Sequence, residues 1–173
     1  MPYSITYKSP IGNLLLVSDG LNLTGLWMEG QKYFASTAGD DLAEKDSLPV
    51  FDTVRNWLDR YFAGKKPKIS ELPLAPQGTE FHQKVWKMLC KIPYGKVITY
   101  SDIAKEIKCK SAQAIGGAVG HNPISVIIPC HRVVGAFGSL TGYAGGMDKK
   151  IKLLELEHVD LSNLTRPTKG TAI

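Results

Sequence analysis

Cysteine and histidine stand side by side in the segment Pro129-Cys130-His131-Arg132-Val133, and this pair is the chemically most informative part of the chain. A thiol attacks an electrophile only as its thiolate, and a neighbouring imidazole or cation lowers the thiol pKa. The apolar run Val126-Ile127-Ile128 leads into the pair and predicts a strand that carries the sulfur into a partly dry pocket. A buried structural cysteine is the alternative, and for an isolated Cys-His pair it is the commoner outcome.

Length and composition describe an ordinary globular chain. Its 173 residues are enough for one domain or two small ones, and 43% of them are hydrophobic and 21% charged, as in water-soluble proteins. No apolar run approaches membrane-spanning length, and the first residues show no signal-peptide pattern. Three widely spaced cysteines argue against a disulfide framework and favour a reducing, cytoplasmic setting.

The net charge of +5 belongs to the half of the chain that contains the Cys-His pair. Residues 1–75 contain eight Lys/Arg and nine Asp/Glu, whereas residues 76–173 contain thirteen Lys/Arg and seven Asp/Glu. An excess of positive charge in one half favours a polyanionic partner for that half. A surface that is basic only for solubility is the alternative, and charge alone leaves it open.

The first half of the chain predicts a small sheet and one helix. Strand-like segments run over residues 3–7, 13–18 and 21–29. Asp19-Gly20 is typical of a hairpin turn between the second and third segments, and apolar residues recur at helical spacing over about 51–62. The proline-containing stretch 64–78 indicates a linker, so we expect an N-terminal domain over 1–75 and a C-terminal domain over 76–173.

The second half predicts short helices joined by tight turns. Thr79, Ser101 and Ser111 are each placed to cap a helix at its start. The helix after Ser111, residues 112–120, contains three alanines and the pair Gly116-Gly117, although each glycine costs a helix about 1 kcal/mol. One face of this helix is therefore nearly bare, and a bare face lets the backbone approach a large partner. The pattern predicts a helix-turn-helix, with close helix packing in the core as the alternative.

Several segments of the second half together resemble the active-site domain of O6-alkylguanine-DNA alkyltransferases. They are Phe81, Val85-Trp86, Ile92-Pro93-Tyr94-Gly95, Ile103-Ala104, Gly116-Gly117, Asn122-Pro123, Ile128 to Val134, Gly142-Tyr143-Ala144-Gly145-Gly146 and Leu153-Leu154. The resemblance covers roughly residues 79–158 and depends on no single short motif. It implies an α+β chain with a small N-terminal antiparallel sheet and helix, ribonuclease-H-like, followed by a domain like a winged helix-turn-helix.

The function that this resemblance implies is the direct reversal of DNA damage. An alkyl group would pass from O6 of guanine, or O4 of thymine, to Cys130, and the stable thioether would limit each molecule to one reaction. His131 would take the thiol proton, in this family through a water, and Glu157 would orient the imidazole. Tyr100 would donate to the departing base, which gains negative charge. No cofactor and no metal is implied.

The resemblance also implies how alkylated double-stranded DNA is bound, by a protein that we expect to act as a monomer. Asn122 would brace the helix-turn-helix against the active site, the Val133 carbonyl would read the exocyclic amine of the base, and Tyr143 and Ala144 would cover the pocket. The damaged base would be flipped out, and the bare helix would enter the minor groove. The implied DNA-binding residues are Ser101, Ser111, Ala112, Gln113, Ala114, Gly116, Gly117 and Arg132.

Two positions depart from the family pattern. Gln113 stands where many members have an arginine that fills the hole left by the flipped base, and Ala144 stands where some relatives have a serine. Neither change touches the thiol, so they bear on rate and lesion range. Two other functions are alternatives. The first is a protein that binds alkylated DNA and recruits repair without transfer, although relatives of that kind lack the cysteine. The second is a cysteine hydrolase, which would leave the basic half of the chain unexplained.

Overall fold

The computed structural model describes residues 2–140 and 142–165, which form two compact units. The N-terminal unit contains the residues up to Gln77 together with Pro123–Ile127, and the C-terminal unit contains Gly78–Asn122 and the residues from Ile128 onward. The short return of 123–127 to the N-terminal unit differs from the expectation of one continuous C-terminal domain. Within the described residues, no helix combines the length and the apolar character needed to cross a membrane.

The N-terminal unit is a four-stranded sheet with one long helix. Its elements are β1 (Tyr3–Ser9), β2 (Gly12–Ser18), β3 (Leu23–Met28), β4 (Ala43–Glu44) and α1 (Pro49–Phe62). The strand order is β3-β2-β1-β4, with antiparallel pairing between the first three strands and parallel pairing of β4 with β1. The predicted strands and helix are therefore present, with bounds that differ by a few residues.

Four helices and a two-stranded ladder form the C-terminal unit. They are α2 (Glu80–Leu89), β5 (Ile98–Thr99), α3 (Tyr100–Glu106), α4 (Ala112–Gly120), β6 (Val133–Val134) and α5 (Met147–Leu156). The caps predicted for α2 and α4 are present, since Thr79 accepts from the amide of His82 and Ser111 accepts from that of Ala114. The α+β class is confirmed, and α3 and α4 pack together as the predicted helix pair.

The predicted cap at Ser101 is wrong. The hydroxyl of Thr99 accepts from the amide of Asp102 at 3.0 Å, and the Asp102 carboxylate accepts in return from the amide of Thr99 at 2.9 Å. This reciprocal pair satisfies two amides at the start of α3 and places the cap two residues earlier. Ser101 consequently lies in the first turn of α3, where its side chain is exposed.

The predicted strand before the cysteine is also wrong. Residues 123–127 lie along the edge of the N-terminal sheet, where the Leu26 amide donates to the Pro123 carbonyl and the Ser125 amide donates to the Leu26 carbonyl. After these two hydrogen bonds the chain turns sharply, because Val126 takes a positive φ of 70°. A buried apolar run is typical of a strand by composition, but here the burial is achieved in a turn.

Parallel pairing of β5 with β6 determines what lies at one edge of the C-terminal unit. Ile98 pairs with Val133 and Thr99 pairs with Val134. The carboxyl ends of parallel strands meet at the same edge. The start of α3, which follows β5, and the loop that follows β6 therefore lie side by side.

Candidate active site

Cys130 begins a single 3-10 turn, Cys130–Arg132, and its side chain is only 5% exposed. The turn is fixed from the preceding helix, because the Asn122 amide Nδ2 donates to the Ile128 carbonyl at 2.8 Å. Asn122 is itself buried and also hydrogen-bonds the Cys130 side chain. One side chain at the end of the helix-turn-helix thus positions both the reactive turn and its sulfur.

His131, Glu157 and Arg132 form a buried network beside the cysteine. His131 Nε2 lies 2.6 Å from Glu157 Oε2, and the Arg132 guanidinium donates from Nε at 2.7 Å and from Nη2 at 3.1 Å to the same carboxylate. Burial by itself raises the pKa of the Glu157 carboxyl, but the charges and hydrogen bonds of His131 and Arg132 outweigh it and hold the pKa well below its usual range. Glu157 is therefore an ionised acceptor at neutral pH.

An ionised Glu157 determines which nitrogen of His131 carries the proton. A carboxylate can only accept, so Nε2 must be the protonated nitrogen and Nδ1 keeps its lone pair. Burial lowers the pKa of the His131 imidazole, against the opposing effect of Glu157, and favours the neutral ring. Nδ1 is buried and makes no hydrogen bond to any described residue. His131 is thus a neutral base with its accepting nitrogen unused.

Arg132 does not lie where its predicted DNA contact requires. Its guanidinium is buried, and besides Glu157 it donates from Nη1 to the Ile92 carbonyl at 2.7 Å and lies 5.6 Å from the centre of the Tyr94 ring. A guanidinium that is enclosed and hydrogen-bonded in this way is not available to a phosphate. Arg132 instead neutralises the buried charge of Glu157.

Lys150 is a site residue that the sequence reasoning missed. Its side chain is fully buried, and Nζ donates to the Val133 carbonyl at 2.5 Å. Burial lowers the pKa of the Lys150 amine to about 8, although Cys130 opposes this. Burial likewise raises the pKa of the Cys130 thiol, and the Asn122 hydrogen bond and the charge of Lys150 act against that rise. Lys150 shares the apolar face of α5 with Leu153 and Leu154, and that spacing was the signal available in the sequence.

Tyr100 and the predicted lid residues meet at the other side of the cysteine. The Tyr100 hydroxyl lies 3.4 Å from the Gly142 carbonyl oxygen, and a Cβ on Gly142 would lie only 2.3 Å from that hydroxyl. Burial, followed by the effect of Cys130, raises the pKa of the Tyr100 phenol far above its usual value. Tyr143 and Ala144 are buried, and the Tyr143 ring packs edge-on against His131 with centroids 6.5 Å apart. Tyr100 therefore remains a protonated donor next to the thiol.

Helix α4 exposes the bare face that the sequence predicts. Its exposed residues, with the cap, are Ser111, Ala112, Gln113, Ala114 and Gly117, and Gly116 is half-buried. A Cβ built on Gly116, Gly117 or Gly120 would have nothing within 4 Å, so these glycines do not serve close packing among the described residues. The buried face of the helix is formed by Ile115, Ala118 and Val119. The glycines instead keep the outer face of α4 smooth.

No metal site accompanies this arrangement in the part of the chain that the structure describes. No group of three or more His, Cys, Asp or Glu side chains there is placed to hold an ion. Cys90, Cys109 and Cys130 are all free thiols. Burial raises the pKa of Cys90, so that thiol is a poor nucleophile.

Comparison with known proteins gives the same family for both parts of the chain. Residues 3–76 match the family model described as the ribonuclease-like domain of 6-O-methylguanine DNA methyltransferase, and residues 80–159 match the DNA binding domain of that family. The chain is 47% identical over 155 residues to the methylated-DNA--protein-cysteine methyltransferase of Methanosarcina mazei, covering 89% of this chain and 96% of that protein. It is 44% identical over 158 residues to the Haemophilus influenzae protein of the same name, covering 91% and 87%.

Solved structures agree with the sequence matches. The fold superposes on Mycobacterium tuberculosis OGT in complex with DNA with a TM-score of 0.81, at 43% identity and covering 90% of this chain and 92% of that one. A structure of the M. tuberculosis O6-methylguanine methyltransferase gives a TM-score of 0.80 at 41% identity, with 98% and 97% covered.

Proposed function

Because the chain belongs to the 6-O-methylguanine DNA methyltransferase family, we propose that Cys130 is the residue that accepts the alkyl group from DNA. The protein repairs DNA by direct reversal, with transfer of a methyl group from methylated DNA to a cysteine of the protein itself. The prediction of this activity from the sequence is confirmed. The observation that carries the assignment to Cys130 is its place beside a neutral histidine, a buried lysine and a protonated tyrosine.

The first step is removal of the thiol proton. His131 Nδ1 has a free lone pair and takes the proton, through one water as in the family resemblance, and the imidazolium that forms is stabilised by Glu157 at 2.6 Å. The neighbouring charge of Lys150 and the Asn122 hydrogen bond favour the thiolate. Burial opposes this ionisation, so the surrounding groups must supply the stabilisation that water would give.

The second step is displacement at the alkyl carbon. The Cys130 thiolate forms the new S–C bond while the C–O6 bond breaks, and the bonding electron pair leaves with the guanine oxygen. Tyr100 donates its proton or hydrogen bond to the departing base, since its raised pKa keeps the phenol protonated. Water does not displace a thiolate from the methyl carbon of a thioether, so each molecule reacts once. O4-alkylthymine presents the same C–O bond and is a second substrate in this proposal.

Substrate residues surround this reaction path. The Val133 carbonyl, held by Lys150 Nζ at 2.5 Å, reads the exocyclic amine of the base. Tyr143 and Ala144 cover the pocket beside Tyr100. Asn122 couples the end of the helix-turn-helix to the turn that carries Cys130. These roles come from the family resemblance. The contacts of Val133 and Asn122 and the burial of Tyr143 and Ala144 support them.

The DNA surface is the bare face of α4. A helix face of alanine and glycine fits the minor groove, which is too narrow for larger side chains, and the target base is flipped into the pocket at a cost of a few kcal/mol. The residues assigned to this contact are Ser101, Ser111, Ala112, Gln113, Ala114, Gly116 and Gly117, all exposed or half-buried. Lysines near the helix-turn-helix, such as Lys105 and Lys108, contact phosphates without reading sequence. The protein acts as a monomer in the reducing cytoplasm.

Mass spectrometry of the protein after reaction with DNA tests this proposal. Incubation with a duplex that contains one O6-methylguanine is expected to add a single methyl group to the peptide that contains Cys130. Cys130→Ser is expected to abolish the adduct while leaving DNA binding intact. Cys109→Ser, which removes an unrelated free thiol, is the matched control and is expected to react like the wild type.

The same experiment distinguishes the two other functions. Tight binding of the damaged duplex with no adduct would indicate a protein that binds lesions without transfer. Turnover of an ester or amide substrate, with no methyl transfer, would indicate a cysteine hydrolase. Methylation of Cys90 or Cys109 in place of Cys130 would contradict the assignment of the acceptor.

A further inference from the structure

Phe137 is the most exposed large apolar side chain among the described residues, with 99% of its surface accessible. It also lies in the left-handed region of the backbone, with φ 59° and ψ 26°. That region is unfavourable for a bulky residue and favours glycine or asparagine. A solvent-exposed aromatic ring and a strained backbone at one position are both unfavourable to the isolated protein. Backbone strain is often found at functional sites, and here it coincides with full exposure of the ring.

The loop that carries Phe137 is held firmly from both sides. The Gly135 amide donates to the Ser139 carbonyl at 2.7 Å and closes the turn at its base. The Leu140 amide donates to the Thr165 carbonyl at 2.8 Å, and the Thr165 amide donates to the Gly138 carbonyl at 3.0 Å. These bonds join the loop to the segment after α5. The ring is therefore presented to solvent by an ordered turn.

The loop lies next to the mouth of the active site. It follows β6, whose parallel partner β5 leads directly into Tyr100 at the start of α3. The Tyr100 hydroxyl lies 3.4 Å from the Gly142 carbonyl at the far end of the same loop. Phe137 thus follows the end of β6 by three residues, on the side of the ladder where β5 leads into Tyr100 and Ser101.

The loop is also uncharged in an otherwise basic half of the chain. No Lys, Arg, Asp or Glu occurs from Val133 to Met147, although residues 76–173 contain thirteen Lys/Arg. A surface that bound only phosphates would use cations. An aromatic ring in an uncharged stretch of the chain instead matches the faces of bases and deoxyriboses. Eversion of one nucleotide unstacks its neighbours and exposes such faces.

We propose that Phe137 is a DNA contact, whose ring packs against a base or deoxyribose next to the everted nucleotide. This inference rests on the proposed function, since it requires that the alkylated nucleotide enters beside Tyr100. Aromatic contacts of this type tolerate any sequence, because every base has a π face. Phe137 adds affinity that does not depend on counterion release.

Phe137→Asn tests the contact because asparagine tolerates the left-handed backbone and removes the ring. We expect the dissociation constant for an undamaged duplex to rise at least fivefold, with no change in the slope of log K against log salt concentration. Methyl transfer from duplex DNA should slow at subsaturating protein, whereas transfer from free O6-methylguanine base should be unchanged. The thermal midpoint should be equal or higher, since the strain is relieved. Phe34→Asn, at an exposed phenylalanine of the N-terminal unit, is the matched control.

Each of the following outcomes would overturn the inference. They are DNA affinity within twofold of the wild type, a salt slope reduced by about one, equal weakening by Phe34→Asn, and equal slowing of transfer from the free base. Reduced self-association with unchanged DNA affinity would assign the ring to a second copy of the chain and also overturn it. If neither duplex DNA nor the free base transfers a methyl group to Cys130 of the wild type, the proposed function is refuted. The comparison of dissociation constants for undamaged DNA would still test the contact of Phe137.

Discussion

Replacing Glu157 by glutamine should destabilise the C-terminal unit strongly. The carboxylate is 1% exposed and accepts from His131 at 2.6 Å and from Arg132 at 2.7 and 3.1 Å. A glutamine has nearly the same shape but no charge, so Glu157→Gln leaves the buried Arg132 guanidinium without its counter-ion. Breaking a buried ion pair in this way costs about 3–5 kcal/mol. For a chain of this length, that corresponds to a fall in Tm of about 6–20 °C.

A double-mutant cycle isolates the charge from the shape. Arg132→Met also leaves one buried charge, whereas the double variant with Glu157→Gln removes both charges together. We expect the double variant to be at least ~1 kcal/mol more stable than Glu157→Gln alone, because removing both members of a buried pair is less costly than removing one. Glu155→Gln, at an exposed position on α5, is the matched control and should change the unfolding free energy by less than ~0.5 kcal/mol.

Urea unfolding followed by fluorescence and circular dichroism measures these differences. Trp86 reports on the C-terminal unit, and Trp27 and Trp57 report on the N-terminal unit. Because the folded-state pKa of Glu157 is lowered, its contribution is present above the unfolded-state pKa of about 4.3 and is lost as pH falls below it. The stability gap between wild type and Glu157→Gln should therefore narrow from pH 5 to pH 3. Additive single-variant effects, or a gap that widens in acid, would refute the reasoning.

Two further predictions concern Lys150 and Gln113. The folded-state pKa of Lys150 is lowered to about 8, so the wild type gains stability as pH rises from 8 toward the unfolded-state pKa. The variant Lys150→Met lacks this gain, so its unfolding free energy should fall by about 2 kcal/mol relative to wild type between pH 8 and 9.5. Urea unfolding measures this difference, and a difference that stays constant with pH would contradict the prediction. Gln113→Arg places a cation on the exposed face of α4 and should tighten duplex binding and steepen the salt dependence by about one counterion. Gln77→Arg is the control, because it adds the same charge at an exposed position of the N-terminal unit. An equal effect on duplex binding would show that the added net charge, and not its position on α4, is responsible.

Local sequence patterns predicted most of the elements that carry the site. The β-branched and aromatic composition of β1 to β3, the Asp19-Gly20 turn and the helical period of α1 are strong signals, and the caps at Thr79 and Ser111 follow from side-chain chemistry alone. The bare face of α4 could also be predicted, because adjacent glycines destabilise a helix and therefore indicate a specific role. These features depend on neighbours within a few residues, which is why a single sequence contains them.

Features that depend on distant neighbours were missed or misplaced. The family resemblance implies a DNA contact for Arg132, but the fold brings its guanidinium against Glu157, 25 positions later in the chain. Lys150 is absent from the expected site residues, because only the fold brings its amine against the Val133 carbonyl. The apolar run Val126-Ile127-Ile128 predicts a strand, because its composition indicates burial but not the turn of the backbone at Val126. The exposure of Phe137 could not be predicted, because a single aromatic residue in a sequence does not indicate whether its side chain is buried or exposed.

The electrostatics of the site suit a cysteine that is used once. If Cys130 is the acceptor, as proposed, its adventitious alkylation would end the life of the molecule, and that reaction proceeds through the thiolate. Burial raises the pKa of the resting thiol, so the group is kept in its unreactive form between encounters with DNA. The cost is that the thiolate must be generated when the lesion arrives. In the proposed mechanism, the neutral ring of His131 takes the proton and the ammonium of Lys150 balances the charge of the thiolate. Burial thus keeps the resting thiol protonated, whereas the proposed roles of His131 and Lys150 favour the thiolate.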